Sequence, residues 1–257
     1  MRKQNSISVL GSGNVATHLT KALSTKGYTI DMVYNHTLAN AQTLARQINC
    51  PYTNSIKDLP KASSVYLIAL ADSHILKTLN QLELNHPFLV HTSGSFDSSQ
   101  LNKFTSNWGC FYPMQTFKKN QPTTLKGSSV FIESNNEKDN KLLNNIAKDL
   151  DCNSYSINSK QRKQLHIAAI ASNNFSYHLF SCIQQYCNKN NLPYESLNPL
   201  IEETLKKIAL NEPFKHQTGP AIRNEDAVIE NHLELLAEDK NLLEIYSLLS
   251  KQIKKQT

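Results

Sequence analysis

A chain of 257 residues that is 39% hydrophobic and 19% charged has room for one large domain or two modest ones, and it can bury a core without disulfide or metal staples. No apolar run approaches the roughly 20 residues that cross a bilayer, and the basic start Met1-Arg2-Lys3-Gln4-Asn5 runs at once into a glycine turn, unlike a secretory leader. The formal charge of +6 comes from scattered lysines with no aromatic-interleaved basic stripe, and the five cysteines are odd in number with no Cys-x-x-Cys spacing. These features argue against membrane, nucleic-acid and metal partners, and for reduced thiols in a cytoplasmic protein.

The first apolar segment, Ser6 to Leu10, reads as a strand that enters Gly11-Ser12-Gly13-Asn14-Val15-Ala16, a Gly-x-Gly-x-x-Ala turn. Gly11 permits the tight turn, Gly13 lets a pyrophosphate approach the backbone, and Ala16 lets the following helix pack on the strand. The helix Asn14–Lys26 then offers unpaired N–H groups and a partial positive charge to the phosphates, with Ser12, Asn14 and Val15 in that first contact. Gly27 closes the helix, and a second strand, Thr29–Tyr34, follows at βαβ distance.

The end of that second strand is where an adenosine ribose lies. Asp31 stands twenty residues after Gly11 but at the start of the strand; its end carries Asn35-His36-Thr37, which offers donors and no carboxylate. This favours NADP over NAD, with NAD still open and a plain helix-capping role the competing explanation of Asn35 and Thr37.

Further strands are expected at Ser64–Leu70, Phe88–His91, Gly109–Tyr112 and Ser129–Ile132, with an edge strand near Tyr52-Thr53. Helices fall between them at Leu38–Gln47, His74–Gln81, Asp97–Asn102 and Glu137–Leu150. The alternation predicts an α/β fold, a Rossmann doubly wound sheet over residues 1–152. Beyond Cys152 strand signals stop. A long helical pattern from Ser159 to Asn188 and helices at Tyr194–Leu210, Glu225–Leu236 and Asn241–Ile253 predict an all-α domain over 153–257.

Ligands of doubly wound sheets sit beyond the carboxyl ends of the strands, so the residues there are the candidates for chemistry. Leu70 and Ala71 are expected to line the cofactor's ribose, with Asp72 capping the next helix. His91 leaves the sheet with Ser93 and Gly94, placing a proton donor or acceptor beside a group that binds a carbonyl or carboxylate, unless His91 is simply a buried histidine bonded to backbone. Tyr112 and Gln115 are polar groups in an apolar loop. In the helical part His166 and Asn173 share one stripe with Tyr177, and Lys163 precedes His166 by one turn. Thr218-Gly219-Pro220 leads to Arg223, which suits an anion clamp on the substrate or else a solvated loop.

Taken together, Gly-Ser-Gly-Asn-Val-Ala (11–16), Ile-Ala-Leu-Ala-Asp-Ser (68–73), His-Thr-Ser-Gly-Ser (91–95), Tyr-Pro-Met-Gln-Thr-Phe (112–117), His-Ile-Ala-Ala-Ile-Ala-Ser-Asn-Asn (166–174) and Thr-Gly-Pro-Ala-Ile-Arg-Asn-Glu (218–225) resemble a family of Rossmann-like proteins. Its members join an NADP-oxidoreductase-type domain to a C-terminal helical domain of unknown function. The family is related to pyrroline-5-carboxylate reductase and, more distantly, to the 6-phosphogluconate and β-hydroxyacid dehydrogenases. The resemblance implies a helical domain of 6-phosphogluconate-dehydrogenase-like type that builds a homodimer and completes the active site. The β-hydroxyacid dehydrogenases place a catalytic lysine four residues before an asparagine; if Asn173 is that asparagine, position 169 is Ala169, and their mechanism does not carry over. The expected activity is NADP-dependent hydride transfer to or from a small, anionic keto or imino substrate. His91 or His166 would be the acid/base, Ser93 and Asn173 would orient substrate, and Arg223 would hold its anionic group. A non-catalytic NADP(H)-binding sensor is the rival expectation.

Overall fold

The computed structural model describes residues 5–210 and 212–255. They fall into two compact units that part between Ala169 and Ile170, later than the boundary after residue 152 expected from the sequence. The first unit reaches further because two elements beyond residue 152 belong to it.

That unit is an eight-stranded sheet: β1 (Ser6–Leu10), β2 (Thr29–Tyr34), β3 (Tyr52–Thr53), β4 (Val65–Ile68), β5 (Phe88–His91), β6 (Asn107–Met114), β7 (Ser129–Ser134) and β8 (Asn153–Ser156), in the order β3-β2-β1-β4-β5-β6-β7-β8. All pairings are parallel except β6–β7. The sheet runs one way from β1 to β3 and the other way from β4 onward, so β1 and β4 flank the switch point where a doubly wound sheet opens a crevice. The helices are α1 (Asn14–Thr25), α2 (Leu38–Ile48), α3 (Asp72–Leu79), α4 (Glu137–Asp149) and α5 (Ser159–Ala169).

The core forms two layers, as alternation along half-buried and buried strands requires. Ile7, Val9, Leu67, Val90 and Phe111 pack with Leu19, Leu44, Leu143 and Ile146 in one layer. Leu10, Ile68 and Leu89 pack with Ile75, Leu79 and Leu101 in the other. β8 escaped the sequence reading because Asn-Ser-Tyr-Ser is polar and all four residues are exposed; it is an edge strand specified by pairing to β7, not by an apolar run.

The second unit is helical: a π-helical segment Ile170–Phe175, then α6 (Ser176–Lys189), α7 (Asn198–Ala209), α8 (Asp226–Leu235) and α9 (Lys240–Lys254). The single long helix expected over 159–188 is thus interrupted by one π segment, the kind of local widening that recurs at functional positions. Among the described residues, no helix is long and apolar enough to cross a membrane.

Candidate functional site

The glycine turn has the geometry its sequence requires. Gly11 adopts φ +119°, and a Cβ there would lie 2.2 Å from the Ala69 carbonyl oxygen, so β1 and β4 can converge at the switch point only over a glycine. Gly13 is the N-cap of α1; a Cβ built on it meets nothing within 4 Å, its cap has no side-chain hydrogen bond, and the first turn holds no acid. The Gly11 N–H is spent on the Tyr34 carbonyl at 2.8 Å, while the terminus of α1 at Gly13 carries neither a side-chain cap nor an acid to offset its partial positive charge. Ser12 is buried and its hydroxyl has no partner. An orphaned hydroxyl beside an uncapped helix terminus fits the pyrophosphate of a dinucleotide. Asn14 is committed otherwise: its Oδ1 accepts from the Lys119 backbone N–H at 3.2 Å, tying the loop after β6 to the start of α1.

At the end of β2, Asn35 is buried and its Oδ1 accepts from the Thr37 N–H at 2.9 Å, leaving His36 and Thr37 exposed. Thr37 is the N-cap residue of α2 but makes no side-chain cap bond. No carboxylate lies among these three residues. Asp31 sits mid-strand and accepts from the Ser63 hydroxyl at 2.7 Å. The end of β2 therefore offers donors and no negative charge, which suits a 2′-phosphate.

The capping role expected of Asp72 belongs to another position. Ala71 is the cap residue of α3, and Asp72 opens the helix and accepts from the Ser95 hydroxyl at 2.5 Å. That bond links the end of β4 to the loop after β5. In the loop, Ser93 Oγ accepts from the backbone N–H groups of Ser95 (3.1 Å) and Phe96 (2.9 Å), so its hydroxyl shapes the turn.

His91 is fully buried, and both ring nitrogens are occupied: Nδ1 accepts from the Ser93 N–H at 3.2 Å and Nε2 donates to Ser98 Oγ at 2.9 Å. Burial first, then the Arg162 charge, hold the imidazole well below its usual basicity, so it stays neutral. A ring without exposed surface or a free nitrogen cannot exchange a proton with substrate. The acid/base role expected of His91 is corrected to a structural one on that ground.

His166, at the end of α5, has a different setting. Its Nδ1 lies 2.9 Å from the Tyr112 hydroxyl on β6, with the rings edge to face at 83°. The pair meets over Gly94, where a Cβ would stand 2.5 Å from His166 Nδ1 and 3.0 Å from Tyr112 Cζ. Gly94 therefore serves by close approach, since a side chain there would meet both rings. Burial raises the Tyr112 phenol above its ordinary value, keeping it protonated at neutral pH. Nε2 of His166 has no hydrogen-bond partner among the described residues and is available to a ligand.

Beneath this pair lies a polar cluster that sequence reading missed. Arg162, one helical turn before His166, is fully buried and pairs with Glu133 at the end of β7. Its Nη2 also donates to the Phe96 carbonyl, to Ser98 Oγ (3.2 Å) and to Ser159 Oγ (3.1 Å). Glu133 accepts from Ser98 Oγ (2.7 Å), from Ser159 Oγ (2.8 Å) and from the Ser159 N–H (3.0 Å). Burial alone would raise the Glu133 carboxyl, but these hydrogen bonds and the guanidinium outweigh it and hold it below the usual carboxylate range. Arg162 Nε has no partner. The only sequence signal was the four-residue spacing from Arg162 to His166, which a helix with eleven mostly polar residues does not single out.

Gln115 is exposed and accepts from the N–H of Thr116. In the second unit Asn173 lies in the π segment and donates to Asn174 Oδ1 at 3.0 Å. Thr218 is exposed, and Arg223 is held by Glu225 through Nε (2.8 Å) and Nη2 (2.9 Å). Glu225 occupies the Nε/Nη2 edge of the guanidinium and leaves Nη1 outside the pair. Among the described residues, no group of three or more His, Cys, Asp or Glu side chains is placed to hold a metal ion.

Residues 6–94 match a family model described as NADP oxidoreductase coenzyme F420-dependent, and residues 128–253 match a domain of unknown function, DUF2520. A Bacteroides fragilis protein described as a candidate NADP oxidoreductase shares 37% identity and a TM-score of 0.89, with 97% of this chain and 98% of that one covered. The chain belongs to this NADP oxidoreductase family. Membership spans the whole architecture, glycine turn and DUF2520 helices alike. At lower identity the likeness is one of fold. A reductive aminase of Aspergillus terreus, solved with NADPH, is 12% identical with a TM-score of 0.75, covering 98% of this chain and 94% of that one. The 1-pyrroline-5-carboxylate reductase of Streptococcus pyogenes is 15% identical with a TM-score of 0.63, covering 98% and 100%. No curated protein matches the chain significantly.

Proposed function

We propose that this family member transfers hydride between NADP(H) and the carbonyl or imine carbon of a small substrate, with His166 as proton donor and Tyr112 as its orienting partner. Bound at the glycine turn, the cofactor supplies the hydride. The observation that carries the reading is the Tyr112–His166 hydrogen bond over Gly94, at the carboxyl ends of β5 and β6 in the same sheet as the glycine turn.

The chain's own part is the proton. When protonated, His166 donates Nδ1–H to the Tyr112 oxygen and presents Nε2–H outward. Giving up the Nε2 proton leaves a neutral imidazole whose Nδ1–H remains on Tyr112, so ring orientation and tautomer are the same before and after transfer. Tyr112 can fill this role because burial keeps its phenol uncharged. In the oxidative direction the neutral ring receives the proton at the same nitrogen. Main-chain N–H groups at Gly13 and the buried Ser12 hydroxyl would hold the pyrophosphate, and His36 and Thr37 would face the 2′-phosphate.

The second unit supports assembly as a homodimer. Leu200, Leu205 and Ile208 on α7 and Leu210 and Phe214 just after it are all exposed, and α7 buries no residue. A second copy would cover this apolar face, which light scattering of wild type and Leu205→Glu would show as a loss of dimer. A cytoplasmic setting fits five cysteines with no disulfide among the described residues.

Titration with NADPH and NADH, followed by nicotinamide fluorescence and by melting temperature, tests the cofactor. A screen of cyclic imines and keto acids for NADPH oxidation then tests the chemistry. Tighter NADPH binding with turnover supports the proposal; binding without turnover of any carbonyl or imine favours a sensor; no binding by the folded protein overturns it.

A further inference from the structure

The His166–Tyr112 pair demands precise placement. The ring occupies space that a Gly94 side chain would fill, so movement of about one ångström either breaks the 2.9 Å hydrogen bond or drives the ring into the loop. Apolar packing cannot supply that precision, because Arg162 is the one buried residue among the eleven of α5.

We infer that Arg162 is the positioning residue of the His166–Tyr112 pair: its guanidinium clamps α5 to β7 and to the segment following Gly94, and so fixes the His166 ring over that glycine. The inference rests on the reading of His166 as proton donor and adds how that donor is held. Arg162 and His166 are four residues apart and share one face of α5. From Arg162 the fork reaches Glu133 on one side and the Phe96 carbonyl on the other, two residues past Gly94. Phe96 is in turn bonded through its N–H to Ser93 Oγ, on the other side of Gly94. The path from helix to glycine is therefore hydrogen-bonded at every step.

His91 closes the same circuit from below. Ser98 receives its Nε2–H, donates to Glu133 and accepts from Arg162. The end of β5, where the loop bearing Gly94 begins, is thereby held to the same carboxylate. Lys163 adds an exposed tie to Asp97 at 3.1 Å.

Two physical points favour a geometric role over a purely stabilising one. Buried ion pairs contribute little net stability relative to apolar residues of like volume, because desolvation offsets attraction. And only a planar fork reaches a carboxylate and a carbonyl in fixed directions at once; a lysine offers a point charge.

The test compares Arg162→Lys, which keeps a cation for Glu133 but loses the fork, with the double variant Arg162→Met/Glu133→Leu, which removes both charges. Imidazole nitrogens of the full-length protein are followed by NMR, with His166→Gln assigning the signal and Tyr112→Phe giving its position when the hydrogen bond is absent. In either folded variant the His166 nitrogens are expected to move to the Tyr112→Phe position. NADPH affinity should stay within about twofold, while kcat falls tenfold or more at unchanged KM for NADPH. A folded variant whose His166 signals stay at the wild-type position overturns the inference. Arg162→Lys decides alone should the double variant not fold. The NMR comparison needs no substrate, so absence of turnover in the wild type would count against the proposed function and leave this result standing.

Discussion

Gly94→Ala separates catalytic geometry from stability, because the added methyl meets a movable ring. Gly94 has no positive φ, so alanine itself fits the backbone. Its Cβ would lie 2.5 Å from His166 Nδ1 and 2.7 Å from Cγ, against an ordinary contact beginning at 3.4 Å. The ring must retreat by about 0.9 Å, and the part of that retreat directed away from Tyr112 stretches the 2.9 Å hydrogen bond, up to about 3.8 Å and beyond hydrogen-bond range. The lost bond costs about 1 kcal/mol. An off-rotamer imidazole costs about 1 kcal/mol more. Restricting the unfolded chain returns about 0.5 kcal/mol. The net loss of about 1.5 kcal/mol leaves the protein folded. Turnover should fall about a hundredfold, the cost of displacing a proton donor by about an ångström. The assay is NADPH oxidation with the best substrate of the imine and keto-acid screen, beside a thermal melt and an NADPH titration. Tyr112→Phe, which removes the hydroxyl without adding volume, should show a similar rate loss. Wild-type turnover by Gly94→Ala, with the His166 nitrogen signals unmoved, would refute the reasoning.

Two glycines of the turn should respond in opposite ways. Gly11→Ala combines φ +119° with a Cβ 2.2 Å from a backbone oxygen and should cost about 3 kcal/mol or more, read as loss of folded protein in a urea melt. Gly13→Ala meets nothing within 4 Å, so stability should hold within about 0.5 kcal/mol while NADPH affinity falls about tenfold through obstruction of the pyrophosphate. Thr37→Asp puts a carboxylate at the exposed end of β2 and should weaken NADPH about tenfold while NADH binding is kept or improved; unchanged selectivity would place the 2′-phosphate elsewhere. The buried neutral His91 makes stability pH-dependent. Its folded pKa is lowered, so the unfolded chain binds the proton first. Stability is therefore full above about pH 6.5 and declines below it, by up to about 1.4 kcal/mol per pH unit for this group. Urea midpoints from pH 7.5 down to 5 should fall less steeply for His91→Gln than for the wild type; parallel curves would show that His91 does not govern the slope. Glu133, held low, adds a further loss as pH falls through the ordinary carboxylate range, where the unfolded chain takes up the proton first.

Local signals settled much of this protein. Ser6–Leu10, Thr29–Tyr34 and Phe88–His91 form as strands with the bounds their apolar runs predict, and the Gly11–Ala16 turn follows the first of them, because strand burial and glycine conformations are written in a few adjacent residues. The absence of a carboxylate at 35–37 was equally legible, since it is a property of composition at one strand end. What the sequence could not reveal depends on separations of tens of residues. It suggested both His91 and His166 as acid/base candidates, and burial alone distinguished them: His91 spends both nitrogens on Ser93 and Ser98, whereas His166 keeps one free beside a tyrosine 54 positions away. Asn-Ser-Tyr-Ser at 153–156 became a strand only through an edge left by β7. The sequence singled out neither Glu133 nor Arg162; antiparallel β7 and helix α5 bring them together, bury Arg162 fully and leave each to satisfy the other. Local residues thus determined the apolar strands and the cofactor turn. The tertiary fold alone decided which polar groups lose their water and which keep a nitrogen free for chemistry, because desolvation and hydrogen-bond satisfaction depend on neighbours that chain order does not specify.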